Sequence, residues 1–247
     1  MIFRRIVFSA LLVGGLSGLL LTAVQFWQVI PIIQSAELFE AEPASTHDHA
    51  THDHAAGAST DDLERTGYTL LANVLSAVAF ALVVLAAMVA TLKSNGAAKL
   101  TWRHGLLWSA AGYTVFFLAP SLGLPPEIPG AIAAPLESRQ LWWLFTVVCT
   151  AAGLGVTAFG KSSWRWVALG LLVVPHLVGA PHPSTDMFAD QTTAEAAELE
   201  GLARQFISAT AIATAALWLA IGLSSVWTVR RFVAPSELHV RRNNHAT

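Results

Sequence analysis

The sequence predicts an all-α, polytopic integral membrane protein with about six transmembrane helices. Of its 247 residues, 54% are hydrophobic and only 12% are charged, whereas soluble domains usually contain about 25% charged residues. The apolar residues also gather into uncharged runs of about 18 or more, the length that a membrane-spanning helix needs. Lys and Arg are concentrated in alternate loops between these runs. We therefore expect residues 1–247 to form a single membrane domain without a separate soluble one.

Six apolar segments free of Asp, Glu, Lys and Arg are the predicted spans. The first follows Arg4 and Arg5. It is longer than the apolar core of roughly 7–15 residues in a signal peptide, so we expect an uncleaved anchor. The fifth is short for a hydrocarbon core of roughly 30 Å. The spans cover approximately residues 6–30, 68–92, 105–122, 141–159, 166–180 and 206–229.

The distribution of basic residues places both chain termini in the cytoplasm. With six spans, eleven Lys and Arg residues fall on the side of the termini and three on the opposite side, and cytoplasmic loops are the ones enriched in these residues. Fifteen of the sixteen acidic residues fall on the outer side. This acidic face either concentrates cations near the membrane or keeps translocated loops soluble, and the sequence favours neither. The expected location is the plasma (inner) membrane.

The long outer loop, residues 31–67, contains the most distinctive stretch of the chain. Residues 46–55 read Thr-His-Asp-His-Ala twice and have no apolar face to bury. Imidazole and carboxylate together are ligands for Co²⁺, Ni²⁺ and Zn²⁺, and residues two apart in an extended chain point the same way. A solvated linker and a pH sensor titrating at about 6.5 are the alternatives. The predicted metal ligands in this loop are His47, His49, His52 and His54.

The six spans can be grouped as three hairpins in the same orientation. Each odd-numbered span meets a proline at its predicted outer end, and each outer loop closes with an acid followed by an arginine. Such hairpins would be parallel repeats about an axis along the membrane normal. Ordinary interface chemistry is the alternative, because prolines end helices and arginines reach toward headgroups. The residues concerned are Pro31, Pro120 and Pro175, with Arg65, Arg139 and Arg204.

Two further histidines, His176 and His182, lie in a segment that reads Pro-His-Leu-Val-Gly-Ala-Pro-His-Pro, residues 175–183. If the fifth helix starts near Trp166, His176 lies about 15 Å along it, roughly in the middle of the membrane or slightly outward. Ionisable groups inside a membrane are candidates for function, and a proline break beside one is typical of cavity lining. We therefore predict both histidines as metal contacts; a neutral His176 bonded to a neighbouring helix is the alternative.

Two other motifs have weaker functional interpretations. The proline-rich outer loop 124–130 contains one carboxylate, Glu127, which is a candidate secondary oxygen ligand, although a structural turn is the preferred interpretation. Residues 155–162 match the phosphate-binding loop pattern, but that loop needs a strand before it, and here the segment joins two apolar spans. We therefore expect neither a nucleotide nor a nucleic acid as a partner.

The remaining features predict packing within the membrane. Gly14 and Gly18 form a small-xxx-small pair that favours close helix contact. Trp142 and Trp143 beside Arg139 fit the aromatic belt at a membrane surface. Cys149 is the single cysteine, so no intrachain disulfide is expected, and a lone buried thiol usually packs as a small apolar group.

Several segments together resemble one known family. They are the Phe-Arg-Arg before a glycine-rich first span, the His-Asp loop, and residues 70–74, 119–127, 139–143 and 175–183. The Gly-Leu-Pro-Pro-Glu loop and the segment with both histidines are the most specific of these. Over essentially its whole length the chain resembles the predicted cobalt transporter subunit of the CbtA type.

The resemblance implies cobalt uptake in bacteria that make cobalamin, with Co²⁺ as the transported ion and Ni²⁺ or Zn²⁺ as alternatives. It also implies a small single-span partner that contains histidines. We expect no permanently bound cofactor and no enzymatic activity, since a haem enzyme would need paired histidines within spans and only His176 lies clearly inside one, with His104 at an edge. A metal-binding, sensing or scaffold protein that delivers metal to another transporter is the alternative function.

Overall fold

A computed structural model describes residues 2–40, 54–95 and 100–233, although not the side chains of 54–62 and 92–95. These residues form six helices and no strand, which confirms the all-α prediction. α1 is Ile2–Glu37 and α2 is His54–Asn95. α3 consists of Trp102–Tyr113, Thr114–Leu118 and Ala119–Ser121. A 3-10 turn, Ser162–Trp164, precedes α5. The other three helices are α4 Leu136–Phe159, α5 Arg165–Val178 and α6 Thr193–Val233.

Four of the six helices are long and apolar enough to cross a membrane. Their apolar parts are Ile2–Glu37, Leu63–Thr91, Leu136–Phe159 and Thr193–Val233, which correspond to the first, second, fourth and sixth predicted spans. The fifth is a shorter apolar helix, Ser162–Val178, as its sequence indicated. For the third and fifth spans, a full membrane crossing stays a prediction. α1 has 36 residues and is about 54 Å long, well beyond a hydrocarbon core of roughly 30 Å.

The first helix does not end at Pro31, where the sequence placed the end of the first span. α1 passes through Pro31 and continues to Glu37, although a proline in a helix lacks an N–H and clashes with the carbonyl four residues earlier. A widened π-helical turn relieves this clash, because its hydrogen bonds run over five residues. Each π-helical turn in the described residues ends two positions before a proline in the sequence. These pairs are Gln25–Val29 with Pro31, Thr114–Leu118 with Pro120, and Val229–Val233 with Pro235.

The described residues group into two compact units, whose boundaries fall within α1, α3 and α6. In the first unit α1 packs directly against the backbone of α2. A Cβ added to Gly18 would lie 2.6 Å from the Cα of Val74, and one added to Gly14 would collide with the Cα of Val78. The Asn73 amide donates to the Thr22 hydroxyl at 3.0 Å beside this contact. The predicted role of the glycine pair in close helix packing is therefore confirmed.

In the first unit α3 and α6 also pack closely, and the contact leaves no space for a side chain at Gly222. A Cβ on Gly222 would collide with the Ser109 hydroxyl and the Gly105 carbonyl. Ser109 is buried and donates to the carbonyl of Gly105 at 2.9 Å. At the end of the same unit, Arg5 donates to the Phe232 carbonyl at 2.6 Å and so satisfies one of the last carbonyls of α6.

In the second unit, the loops pack onto helix ends instead of running free. A small apolar core joins the end of α1, the loop after α3, the loop after α5 and the start of α6. The backbone N–H of Ile132 donates to the carbonyl of Met187 at 2.8 Å, which ties the two loops together. Thr192 and Glu195 cap the start of α6 reciprocally. The buried members of this core are Ala36, Ile128, Phe188 and Leu199.

Candidate functional site

Trp142 of α4 organises the region around His176 in the second unit. Its indole N–H donates to the carbonyl of Pro175 at 3.2 Å. The His176 ring lies edge-on to the indole, with the ring centroids 6.1 Å apart and the planes at 68°. Because Trp142 is 6% exposed, this hydrogen bond is shielded from water and fixes the end of α5 against α4. His176 is half-buried, so part of its imidazole stays accessible beside the indole.

Two loops close around the same indole. A Cβ on Gly123, after α3, would lie 2.5 Å from the Trp142 ring and 2.9 Å from the Cβ of Ala180, after α5. Only a glycine leaves room for the ring at this position. Each loop starts with the same turn: Leu124 donates to the carbonyl of Pro120 at 2.8 Å, and Gly179 donates to that of Pro175 at 3.1 Å.

This similarity bears on the predicted repeat of hairpins. The segments that begin at Pro120 and Pro175 resemble each other in sequence, share one backbone turn, and meet on one side chain. The likeness therefore extends from sequence to local structure for the second and third hairpins. The parallel arrangement of all three hairpins stays a prediction.

An ion pair lies about one helical turn from the indole along α4. The guanidinium of Arg139 contacts the carboxylate of Glu127 at 2.7 Å, and Glu127 is 17% exposed. A half-buried Arg–carboxylate pair fixes the proline-rich loop to the start of α4. Because its carboxylate is engaged by Arg139, Glu127 fits the preferred interpretation of a structural turn better than that of a free oxygen ligand.

The structure defines the position of His176 on its helix. α5 has 14 residues and is about 21 Å long, and His176 lies in its last turn. The helix continues past Pro175 and ends at Val178, where Gly179 adopts a φ of +83° that favours glycine. His176 is therefore near the end of a short helix, ten residues after Trp166 as the sequence indicated, and its depth in a membrane stays a prediction. His182 follows in the next loop and is exposed.

The side chains of the other four predicted ligands are not among those that the structure describes. His47, His49 and His52 lie outside the described residues, and His54 is the first residue of α2, with its side chain not described. Within the described part of the chain, no group of three or more His, Cys, Asp or Glu side chains could hold a metal ion. The six histidines proposed as ligands stay predictions.

Sequence reasoning missed Trp142, which was assigned to the aromatic belt with its neighbour. The structure separates the two: Trp142 is buried, whereas Trp143 is 38% exposed and its ring lies 6.3 Å from that of Phe116. The available signal was helical spacing, because Trp142 precedes the buried Thr146, Cys149 and Gly153 by four, seven and eleven residues. The phosphate-loop pattern lies where α4 ends, with a helix in place of the strand that such a loop needs.

Comparison with known proteins agrees with these features. The model of a family described as "Probable cobalt transporter subunit (CbtA)" matches residues 3–230, nearly the whole chain. No curated protein and no solved structure matches. A transporter subunit with several apolar helices is a multi-pass membrane protein with a non-enzymatic role, and a lipid bilayer and a metal ion are its partners. The chain therefore belongs to the CbtA family of probable cobalt transporter subunits.

Proposed function

We propose that the protein is the membrane subunit or permease for uptake of a divalent transition metal, with Co²⁺ as substrate, at the plasma (inner) membrane. Family membership supports the substrate. The observation that carries the mechanism is the position of His176, half-buried against Trp142 at the end of the short helix α5. Such a histidine offers a nitrogen ligand at a fixed place without being sealed from solvent.

Capture is the first step of the proposed mechanism. The repeated His-Asp stretch, residues 46–55, offers up to four neutral imidazoles and two carboxylates to an arriving ion. Ordering such a polar segment on binding costs entropy, so its affinity is modest and release remains easy. This suits a collecting arm that raises the local metal concentration.

Transfer to His176 and His182 is the second step. The two residues lie on either side of Gly179, one in the last turn of α5 and one in the loop beyond it. Neutral imidazole binds Co²⁺, Ni²⁺ and Zn²⁺, and the usual affinity order puts Co²⁺ below the other two. Selectivity for Co²⁺ therefore depends on geometry and metal supply, and a histidine fixed by an indole contact supplies a defined geometry.

The membrane potential is the proposed driving force for this uptake. A potential of 100 mV is worth about 2.3 kcal/mol per elementary charge. A dication that enters the cytoplasm therefore gains about 4.6 kcal/mol per 100 mV. The mechanism needs no nucleotide, and a small single-span subunit with histidines is the proposed partner for delivery.

Uptake of radioactive cobalt tests this function. Cells with the gene should accumulate Co²⁺ at submicromolar concentration well above cells without it, and dissipating the membrane potential should abolish the difference. Equal accumulation in both strains, with the protein present in the membrane, would refute the proposal.

The second candidate function is a metal-binding, sensing or scaffold protein that hands ions to another transporter. The repeated His-Asp stretch, residues 46–55, supports this function too, because its imidazoles and carboxylates can bind metal whether or not the chain also transports it. Proteoliposomes distinguish the two functions. Metal binding to the intact protein without flux, even when the proposed small subunit is included, would support the scaffold. Flux of Co²⁺ with the protein alone or with that subunit would support transport.

A further inference from the structure

Positive charge gathers in the first unit where the start of α1 packs against the end of α6. Arg5 donates to the carbonyl of Phe232 at 2.6 Å, although the two residues are 227 positions apart in the chain. Arg4 is the neighbour of Arg5, and Arg230 and Arg231 lie within one helical turn of the contacted carbonyl. The fold therefore brings four arginines from distant parts of the sequence to one end of the first unit.

The end of α6 is a packed turn and not a free chain end. Val229 and Val233, the first and last residues of its π-helical turn, are 0% and 1% exposed, so they anchor the turn in the first unit. Arg230 and Arg231 lie between these valines and are exposed. The two arginines therefore present exposed side chains from a fixed stretch of backbone.

These four arginines are brought together without acidic residues to offset their charge. The helical segments that carry them, residues 2–24 and 215–233, contain no Asp or Glu. None of the four forms an ion pair among the residues that the structure describes, whereas Arg139 and Arg204 of the second unit do. Because like charges that are held together repel one another, an anion bound among them would stabilise this arrangement.

Exposed aromatic rings lie beside the arginines. Phe3, next to Arg4, is 80% exposed, and Trp227 and Phe232 are 47% and 41% exposed. Trp227 and Phe232 pack edge to face, with the ring centroids 5.7 Å apart and the planes at 89°. Aromatic side chains are enriched at the surfaces of a membrane, where their rings lie at the level of the lipid headgroups. The combination of rings and guanidinium groups is typical of a surface that contacts headgroups.

We propose that Arg4, Arg5, Arg230 and Arg231, here called the arginine cluster, form a binding site for the headgroup of an anionic phospholipid. Guanidinium groups bind phosphate oxygens through paired hydrogen bonds. Basic sites between membrane helices on the cytoplasmic side bind such headgroups, and the sequence predicts that both termini lie on that side. A bound headgroup links the start of α1 to the end of α6. This inference is independent of the proposed metal transport.

A specific site must be distinguished from the general excess of positive residues on the cytoplasmic side of membrane proteins. Lys161 and Arg165 lie on the same predicted side and are exposed next to Trp164 and Trp166. They belong to the short connection between α4 and α5. Within the described ranges, neither side chain makes a hydrogen bond or an ion pair to another helix. They therefore provide a matched pair of positive charges without the arrangement of the arginine cluster.

Lipid binding to the purified full-length protein in detergent, measured by native mass spectrometry, tests the proposal. The probes are phosphatidylglycerol and the zwitterionic phosphatidylcholine, and we expect the wild type to retain phosphatidylglycerol more strongly. In the double variant Arg230→Gln with Arg231→Gln this preference should fall about tenfold or more, since each arginine near a headgroup contributes to the attraction. Arg5 is left unchanged because its hydrogen bond also supports the contact between the helices.

The matched control is the double variant Lys161→Gln with Arg165→Gln, which should keep the wild-type preference. An equal loss in the two double variants would mean a general attraction of lipid to positive charge and would overturn the site. An unchanged preference in the Arg230 and Arg231 variant would overturn it too. If that variant fails to fold, Arg4→Gln gives the same test at an exposed position, with an expected loss of about threefold.

Two other anions could occupy the arginine cluster, and the same measurement separates them from a lipid. If inorganic phosphate at millimolar concentration displaces phosphatidylglycerol, the ligand is a soluble anion and the lipid site is overturned. Glu237 follows α6 in the sequence and lies outside the described residues. If the wild type shows no preference and Glu237→Gln gains one, this carboxylate occupies the cluster, and the proposal is overturned. We expect neither result.

Discussion

The two units of the molecule differ in the contacts that bring their helices together. In the first unit the contacts are made by glycines, with Gly14 and Gly18 against the backbone of α2 and Gly222 against that of α3. In the second unit Gly153 also lies close to the Ala168 carbonyl, but a tryptophan side chain in addition bridges α4 to a proline-containing helix end and two loops. Backbone contacts leave little freedom to rearrange, whereas contacts through one side chain and loops can adjust. The first unit is therefore held by contacts that leave little freedom, whereas the second includes contacts that can adjust, as the proposed release of an ion at His176 would require.

A substitution at Gly14 should disturb the packing of α1 against α2 in the first unit more than any other change considered. We expect Gly14→Leu to cost about 3 kcal/mol or more, because the side chain would need the space of the Val78 backbone and the helices would have to separate. The measurement is the melting temperature of the purified protein by size-exclusion chromatography after heating.

Gly15→Leu is the matched control for that prediction. No described atom lies within 4 Å of a Cβ at Gly15, the next residue on α1. The control should melt within a few degrees of the wild type. If both variants melt alike, the glycine contact does not hold α1 against α2.

A substitution at Gly123 should affect folding less than one at Gly14, but it should clearly lower cobalt uptake. In Gly123→Ala the added methyl group would meet the Trp142 ring, and local overpacking typically costs about 1–3 kcal/mol. We expect cobalt uptake to fall about tenfold while most of the protein stays folded, since 1.4 kcal/mol corresponds to a factor of ten.

Gly170→Ala serves as its control in the same unit, because a Cβ at Gly170 has no described neighbour within 4 Å. Uptake by this variant should match the wild type. Unchanged uptake in Gly123→Ala would show that the position of the indole is unimportant.

A still milder change removes only the indole hydrogen bond. Trp142→Phe keeps a ring beside His176 but loses the donor to the Pro175 carbonyl. Such a bond contributes about 1 kcal/mol, so uptake should fall about fivefold. Trp143→Phe, at the exposed neighbouring position, should leave uptake unchanged. If the two variants take up cobalt at the same rate, the hydrogen bond of Trp142 has no role in the mechanism.

The sequence was informative wherever periodicity or length decides the structure. Uncharged apolar runs predicted the helices, and the spacing of Gly14 and Gly18 predicted their close contact. The π-helical turns before Pro31 and Pro120 were not predicted, because one extra residue in a turn leaves hydropathy unchanged. Trp142 was misassigned because an aromatic residue near a membrane surface is common on either side of a helix.

The structure describes some of the residues named in the functional predictions and not others. The structure places His176 in the last turn of α5 because that helix is short, a detail that depends on where Gly179 ends it. His182 is exposed in the following loop. The His-Asp loop has no apolar pattern, so neither packing nor periodicity could define its arrangement from the sequence. Its role as a collecting arm stays a prediction.

The central claim is that the His-Asp loop, residues 46–55, collects the metal and that His176 binds it at a fixed place. Measuring the rate of cobalt uptake against cobalt concentration tests this claim most directly. One variant replaces His47, His49, His52 and His54 with alanine, and the other is His176→Ala. We predict that the loop variant loses uptake mainly at low cobalt and recovers at high cobalt, whereas His176→Ala loses it at every concentration. Equal and negligible effects of the two variants would contradict the claim.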